Sequence, residues 1–78
     1  MGRPDVRTLR QARSARMLTI RALAERAGVS PHTVHQVERG ARTPHFATIR
    51  RLSDALGMAP EAVEEFRAVL SGKKEEGR

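Results

Sequence analysis

Cysteine, tryptophan and tyrosine are absent from the 78 residues, and phenylalanine occurs only twice. Without cysteine there is neither a disulfide to staple so short a chain nor a thiolate metal ligand. A chain of this length buries only about 60% of its unfolded surface, so close packing, alone or with a partner subunit, must hold it together. The lack of cysteine also fits a reducing cytoplasm, the expected location. No apolar run approaches the roughly 18 residues of a membrane span. The opening MGRPDVRTLR has no apolar core of a secretory signal, and Val6 stands where a myristoylation motif wants Ser or Thr. There is no glycine-rich phosphate loop and no grouping of nucleophile, base and orienting acid, so neither an enzyme nor a cofactor is expected. His32, His35 and His45 come with no cysteine and no carboxylate dyad, so no metal site is expected either.

What is present in excess is arginine. The net charge is +6, unevenly spread. Up to Leu52, eleven arginines face Asp5, Glu25 and Glu38, giving +8. From Ser53 onward Arg67, Lys73, Lys74 and Arg78 face six acidic groups, giving −2. The first part suits a polyanion and the second does not.

Apolar residues recur at helical spacing in five segments, with no β-type alternation and no internal repeat. The first segment spans Val6 to Met17, with Val6, Leu9, Arg13 and Met17 on one stripe. The second spans Ile20 to Ala27, capped by Thr19, with Leu18 and Leu23 as a hydrophobic staple and Gly28 as the stop. Leu23, Ala24 and Ala27 face inward, and Val29 plugs the turn. The third begins with Ser30 as cap and Pro31 at the first helical position, and stops near Arg39 and Gly40. The fourth, His45 to Leu56, offers Phe46, Ile49, Leu52 and Leu56 to the core, and Gly57 ends it. The fifth, Pro60 to about Leu70, carries Val63, Phe66, Val69 and Leu70. Met58 and Val63 make a second staple. Residues 1–5 are expected as a flexible arm, 6–71 as one domain with its central motif at 19–40, and 72–78 as a disordered polar tail.

The spacing of Ala24, Gly28 and Val34 specifies a helix-turn-helix. A small residue lets two helices approach, glycine makes the tight turn, and a β-branched residue seats the second helix on the first. Leu23, Ala27, Val29 and Val37 fill the other inward positions. An advance of about 100° per residue puts Val34, Val37 and Glu38 on one side of the third segment and His32, Gln36 and Arg39 opposite, with Thr33 and His35 on the flanks. A generic helical hairpin leaves unexplained why the outward side holds hydrogen-bonding groups and no Leu, Ile or Val. A helix of this kind is suited to the major groove of double-stranded DNA.

The run LRQARSARMLTIRALAERAGVSPHTVHQVERGARTP, followed by FATIRRLSDALGM, resembles the phage lambda repressor/Cro-like, or Xre-type, DNA-binding domain. The matching elements are L-R-x-x-R, LAE-x-AGVS, V-x-x-V-E-R-G, the following proline and L-x-x-ALG, over about Leu9 to Val63. The resemblance implies an all-α, five-helix domain acting as a homodimer on near-palindromic sites. It implies base contacts from Pro31, His32, Thr33 and Gln36, phosphate contacts from Arg39 and Arg42, and a structural salt bridge between Arg13 and Glu38. The residues agree on the last point, since each lies on its helix's inner face and an unpaired charge there is costly. Two positions depart from the pattern. Ile20 stands where a phosphate-gripping Gln is usual, and Met17 where a glycine usually follows the first helix.

Gln36 can bond adenine through N6 and N7 together, His32 can donate to guanine or accept from a base amino group, and Thr33 and the Pro31 ring can meet a thymine methyl. Arg21, Arg39, Arg42 and Thr43 are the phosphate candidates, supplying salt-dependent affinity. RNA is disfavoured, because no aromatic stands on the basic face to stack bases. Phe66 and Leu70 are hard to hide together in a core this small, so part of the stripe Val63, Phe66, Val69 and Leu70 is expected as a two-fold dimer interface. The chain reads as a transcriptional regulator, in the manner of a phage-type repressor or a restriction–modification controller. The alternative is an antitoxin-like protein that neutralises a partner protein, such as a toxin, while controlling its own operon.

Overall fold

The computed structural model describes residues 6–76, with side chains to residue 71. The expected arm at 1–5 and the last two residues lie outside this range. The described chain is all-helical, in the order α1 (Leu9–Ala15), α2 (Ile20–Ala27), α3 (Pro31–Glu38), α4 (Phe46–Leu56), a 3-10 turn (Pro60–Ala62) and α5 (Glu64–Glu76). α3 packs on α2 and on α1, and α2 in turn packs on α4.

Side-chain oxygens start the first three helices. Thr19 accepts from the Ala22 N–H at 3.0 Å, and Ser30 from the Thr33 N–H at 3.1 Å. At α1 the cap is reciprocal. Thr8 Oγ1 accepts from the Gln11 N–H while Gln11 Oε1 accepts from the Thr8 N–H, at 3.1 and 3.0 Å. This capping box starts α1 at Leu9, three residues later than the apolar spacing suggests, and leaves Val6 half-buried outside the helix.

The first four helices end alike. The N–H groups of Met17 and Leu18 bond the carbonyls of Ser14 and Arg13, and equivalent paired bonds close α2, α3 and α4. The arrangement needs a left-handed residue. Gly28, Gly40 and Gly57 supply it for the later helices, but after α1 it is Met17, at φ 56° and 90% exposed. Met17 therefore ends the first helix instead of extending its apolar stripe. A side chain in this conformation costs about 1–2 kcal/mol, and glycine gives some of that back in unfolded-state entropy. Met17→Gly is expected to raise stability by about 0.5–1 kcal/mol, read as a higher urea midpoint at unchanged slope. A lower midpoint would show that the exposed thioether makes a contact of its own.

The core gathers Leu9, Leu23, Ala24, Val34, Val37, Leu52 and Phe66, with Ile49, Leu56 and Val63 beside them. Val63 and Phe66 are both 0% exposed within a single chain. These two side chains, expected above in a dimer interface, fill the interior of a single chain. Val69 is half-buried, and Leu70 is the exposed end of the stripe at 36%. Phe46 departs the other way, expected inside but 55% exposed. It is the first residue of α4, one turn ahead of Ile49, at the end of the buried side formed by Ile49, Leu52, Ser53 and Leu56. The neighbouring buried position is taken by Pro44.

The stretch expected to open the fifth helix is instead a 3-10 turn followed by extended Val63, which forms an isolated parallel bridge with Arg7. The Arg7 N–H donates to the Ala62 carbonyl at 3.0 Å and the Glu64 N–H to the Arg7 carbonyl at 2.8 Å. Glu65 Oε1 accepts the Leu9 N–H at 2.8 Å, satisfying a free donor in the first turn of α1. α5 then continues to Glu76, so the backbone of the expected tail is helical as far as that residue.

Candidate nucleic-acid interface

α3 is two-sided. Val34 and Val37 are 0% and 1% exposed, pressed into the core. On the other side Pro31, His32 and His35 are exposed, and Thr33 and Gln36 are half-buried. The two valines fix the helix's rotation about its own axis, and that rotation decides which polar groups face outward.

Two contacts order the polar side. His32 Nε2 and Gln36 Nε2 lie 3.3 Å apart, one turn from each other, so the expected base-reading pair already touches. Ser30 Oγ and Thr33 Oγ1 are 3.0 Å apart. Thr33's hydroxyl is thus engaged at the helix cap.

Arg13 and Glu38 meet in a fork. Arg13 Nε donates to Glu38 Oε2 at 2.7 Å and Nη2 to Oε1 at 3.2 Å, with the side chains only 14% and 7% exposed. The third guanidinium nitrogen, Nη1, donates to the Leu18 carbonyl at 2.8 Å. One arginine therefore ties α1 to the end of α3 and to the loop before α2, and holds the angle at which the polar side is presented.

Arg39, Arg42 and Thr43 are exposed beyond the end of α3, and Arg21 is exposed in the first turn of α2. The backbone leaving α3 is fixed by the Ala41 N–H on the Gln36 carbonyl at 3.0 Å and by buried Pro44. Ile20 is half-buried and packs against the core, so the position lacking the usual Gln turns its side chain inward.

Not every arginine of the basic half is available to a polyanion. Besides Arg13, Arg16 is committed to the protein, with Nε donating to the Leu56 carbonyl at 2.6 Å and Nη1 to the Ala12 carbonyl at 3.2 Å. Arg51 Nη1 donates to the Gly28 carbonyl at 3.3 Å, bracing the turn between α2 and α3 from α4. Arg16 and Arg51 reach carbonyls 40 and 23 residues away, a distance over which spacing along the chain carries no signal.

The model of a helix-turn-helix domain matches residues 6–66, most of the chain. The chain belongs to the helix-turn-helix domain family. It is a helix-turn-helix DNA-binding domain, and α2, the Gly28 turn and α3 are its defining unit. No curated protein and no solved structure matches the chain. Among the described residues no helix is long and apolar enough to cross a membrane, and no three His, Cys, Asp or Glu side chains group as a metal site.

Proposed function

We propose that the protein is a sequence-specific transcriptional regulator of the lambda repressor/Cro-like, Xre type. It acts as a homodimer on near-palindromic double-stranded DNA, with α3 of each subunit in the major groove. The observation that carries this reading is the division of α3, with Val34 and Val37 buried while His32 and Gln36 project from the opposite side as a touching pair. A two-fold dimer of such domains reaches successive major grooves about 34 Å apart. Pro31, His32, Thr33 and Gln36 read bases, and Arg21, Arg39, Arg42 and Thr43 grip phosphates.

Selection of bound fragments from random duplex DNA identifies the operator, and two variants then separate reading from gripping. Gln36→Ala is expected to lose about 1–3 kcal/mol of discrimination at one base pair per half-site while binding other sequences almost as before. Arg42→Ala is expected to weaken every sequence alike and to flatten the salt dependence by about 0.9 in log–log slope for each phosphate it no longer neutralises. Uniform loss by both variants on every duplex removes the division of roles.

A further inference from the structure

The atoms that meet between His32 and Gln36 are both nitrogens, Nε2 of each, 3.3 Å apart. That pairing allows only one assignment. An amide nitrogen carries two protons and accepts none, so Gln36 Nε2 donates and His32 Nε2 accepts. The neutral ring then holds its proton on Nδ1. Gln36 is half-buried, on a helix whose rotation Val34 and Val37 fix. What remains open is the last torsion of its side chain, a broad two-fold one that decides which end of the amide faces which way. The contact with His32 settles it, with Nε2 toward the ring and Oε1 turned from it.

We propose that His32 is a positioning residue that commits Gln36 to adenine and against guanine. The inference rests on the reading of α3 as the groove-facing helix, and names the base that the pair selects. In the major groove adenine shows an acceptor, N7, beside a donor, the N6 amino group, whereas guanine shows two acceptors, N7 and O6. A glutamine amide with both N–H groups available serves either edge. One N–H and the oxygen meet adenine, and two N–H groups meet guanine. With one N–H spent on His32, Gln36 keeps one donor and one acceptor, the adenine pattern, and has no second donor for O6. His32 thus acts on that base pair through Gln36. The same bond closes one of the two options for the ring itself. With Nε2 accepting from Gln36, the remaining Nδ1–H can donate to a base but the ring cannot accept from a base amino group. The brace exists in the chain without DNA, so the amide need not be ordered on binding.

Two measurements on the full chain test this. The first is made without DNA at about pH 8.5, above the ordinary histidine range. There the imidazole nitrogen NMR shifts of His32 are expected to show the Nδ1–H form, and the Nε2–H form overturns the hydrogen bond. The second is competition between selected duplexes that differ only at the base pair Gln36 reads. His32→Ala, at an exposed position, is expected to keep the wild-type circular dichroism. It is expected to lower the preference for adenine over guanine at that pair by about twofold or more, the worth of a bonded pair one helical turn apart. His32→Gln, whose Oε1 stands as many bonds from the backbone as the ring Nε2, is expected to restore the preference. In a Gln36→Ala background, His32→Ala is expected to change nothing at that pair. Uniform loss on every duplex, an unchanged ratio of adenine to guanine, or a change confined to another base pair overturns the role of His32. If Gln36→Ala itself alters no base preference, the reading of α3 falls and the proposal with it. The spectrum taken without DNA separates that failure from absence of the hydrogen bond.

Discussion

Glu38→Ala is expected to destabilise the domain by about 3–5 kcal/mol, because it strands a positive charge inside the protein. Arg13's guanidinium is only 14% exposed and gives two of its three nitrogens to the Glu38 carboxylate. Removing the carboxylate leaves Nη1 on the Leu18 carbonyl and takes the acceptor away from Nε and Nη2. The loss is not the worth of the ion pair. Replacing both partners by apolar residues, as in Arg13→Met with Glu38→Leu, removes the stranded charge together with its partner and is expected to recover most of the stability. For a domain of this size each kcal/mol moves the melting temperature by about 4–8 °C, so the single variant falls by tens of degrees and the pair returns close to wild type. Melting of the three proteins checks this. A single variant within about 1 kcal/mol of wild type would show that the fork is dispensable.

Phe66→Ala is expected to cost about 3–5 kcal/mol, in the range found for emptying a large aromatic from a packed core. Phe66 is the largest of the fully buried side chains, on a helix whose first turn is tied to α1 through Glu65 and through the Arg7–Val63 bridge. The surrounding elements are thus held on both sides and can close the cavity only in part. Folded proteins of this size have only about 5–10 kcal/mol to lose, so the variant is at the edge of unfolding. The loss appears in chemical denaturation of dilute protein and does not depend on protein concentration. A concentration-dependent loss would instead place Phe66 at a subunit contact. Leu70, in the same apolar stripe, gives the contrast, since its truncation should leave the monomer's stability nearly unchanged.

The helix-turn-helix was readable because its determinants are local. Thr19 and Ser30 as caps, Pro31 after the cap and Gly28 after Ala27 each act within one turn of the residue they specify. The two-sidedness of α3 was readable because only Val34 and Val37 could be inward. The start of α1 was also written locally, in Thr8 and Gln11, but the apolar spacing of Val6 and Met17 ran past it in both directions. The capping hydrogen bonds and the left-handed turn override that spacing. Phe46 misled for a related reason. Periodicity marks a residue as apolar and near a stripe, but not how much of its surface the fold removes from water. The extended Val63, the Glu65 cap and the Arg16 bond join residues tens of positions apart, and no local pattern announces them. For α3 the sequence named the groups on the polar side, while the contact of His32 with Gln36 and the bracing of Gly28 by Arg51 needed three dimensions.

The bridge between Arg7 and Val63 has a consequence for how the molecule comes apart. Short helical proteins usually unravel from their ends, one tip at a time and independently. Here the segment at Arg7 and Leu9 is stitched to the base of the last helix by two backbone bonds and a carboxylate, so that segment and the start of α5 come away together. Release of Arg7 and detachment of the base of α5 form a single opening event, and a cut between Arg7 and Leu9 would loosen the last helix.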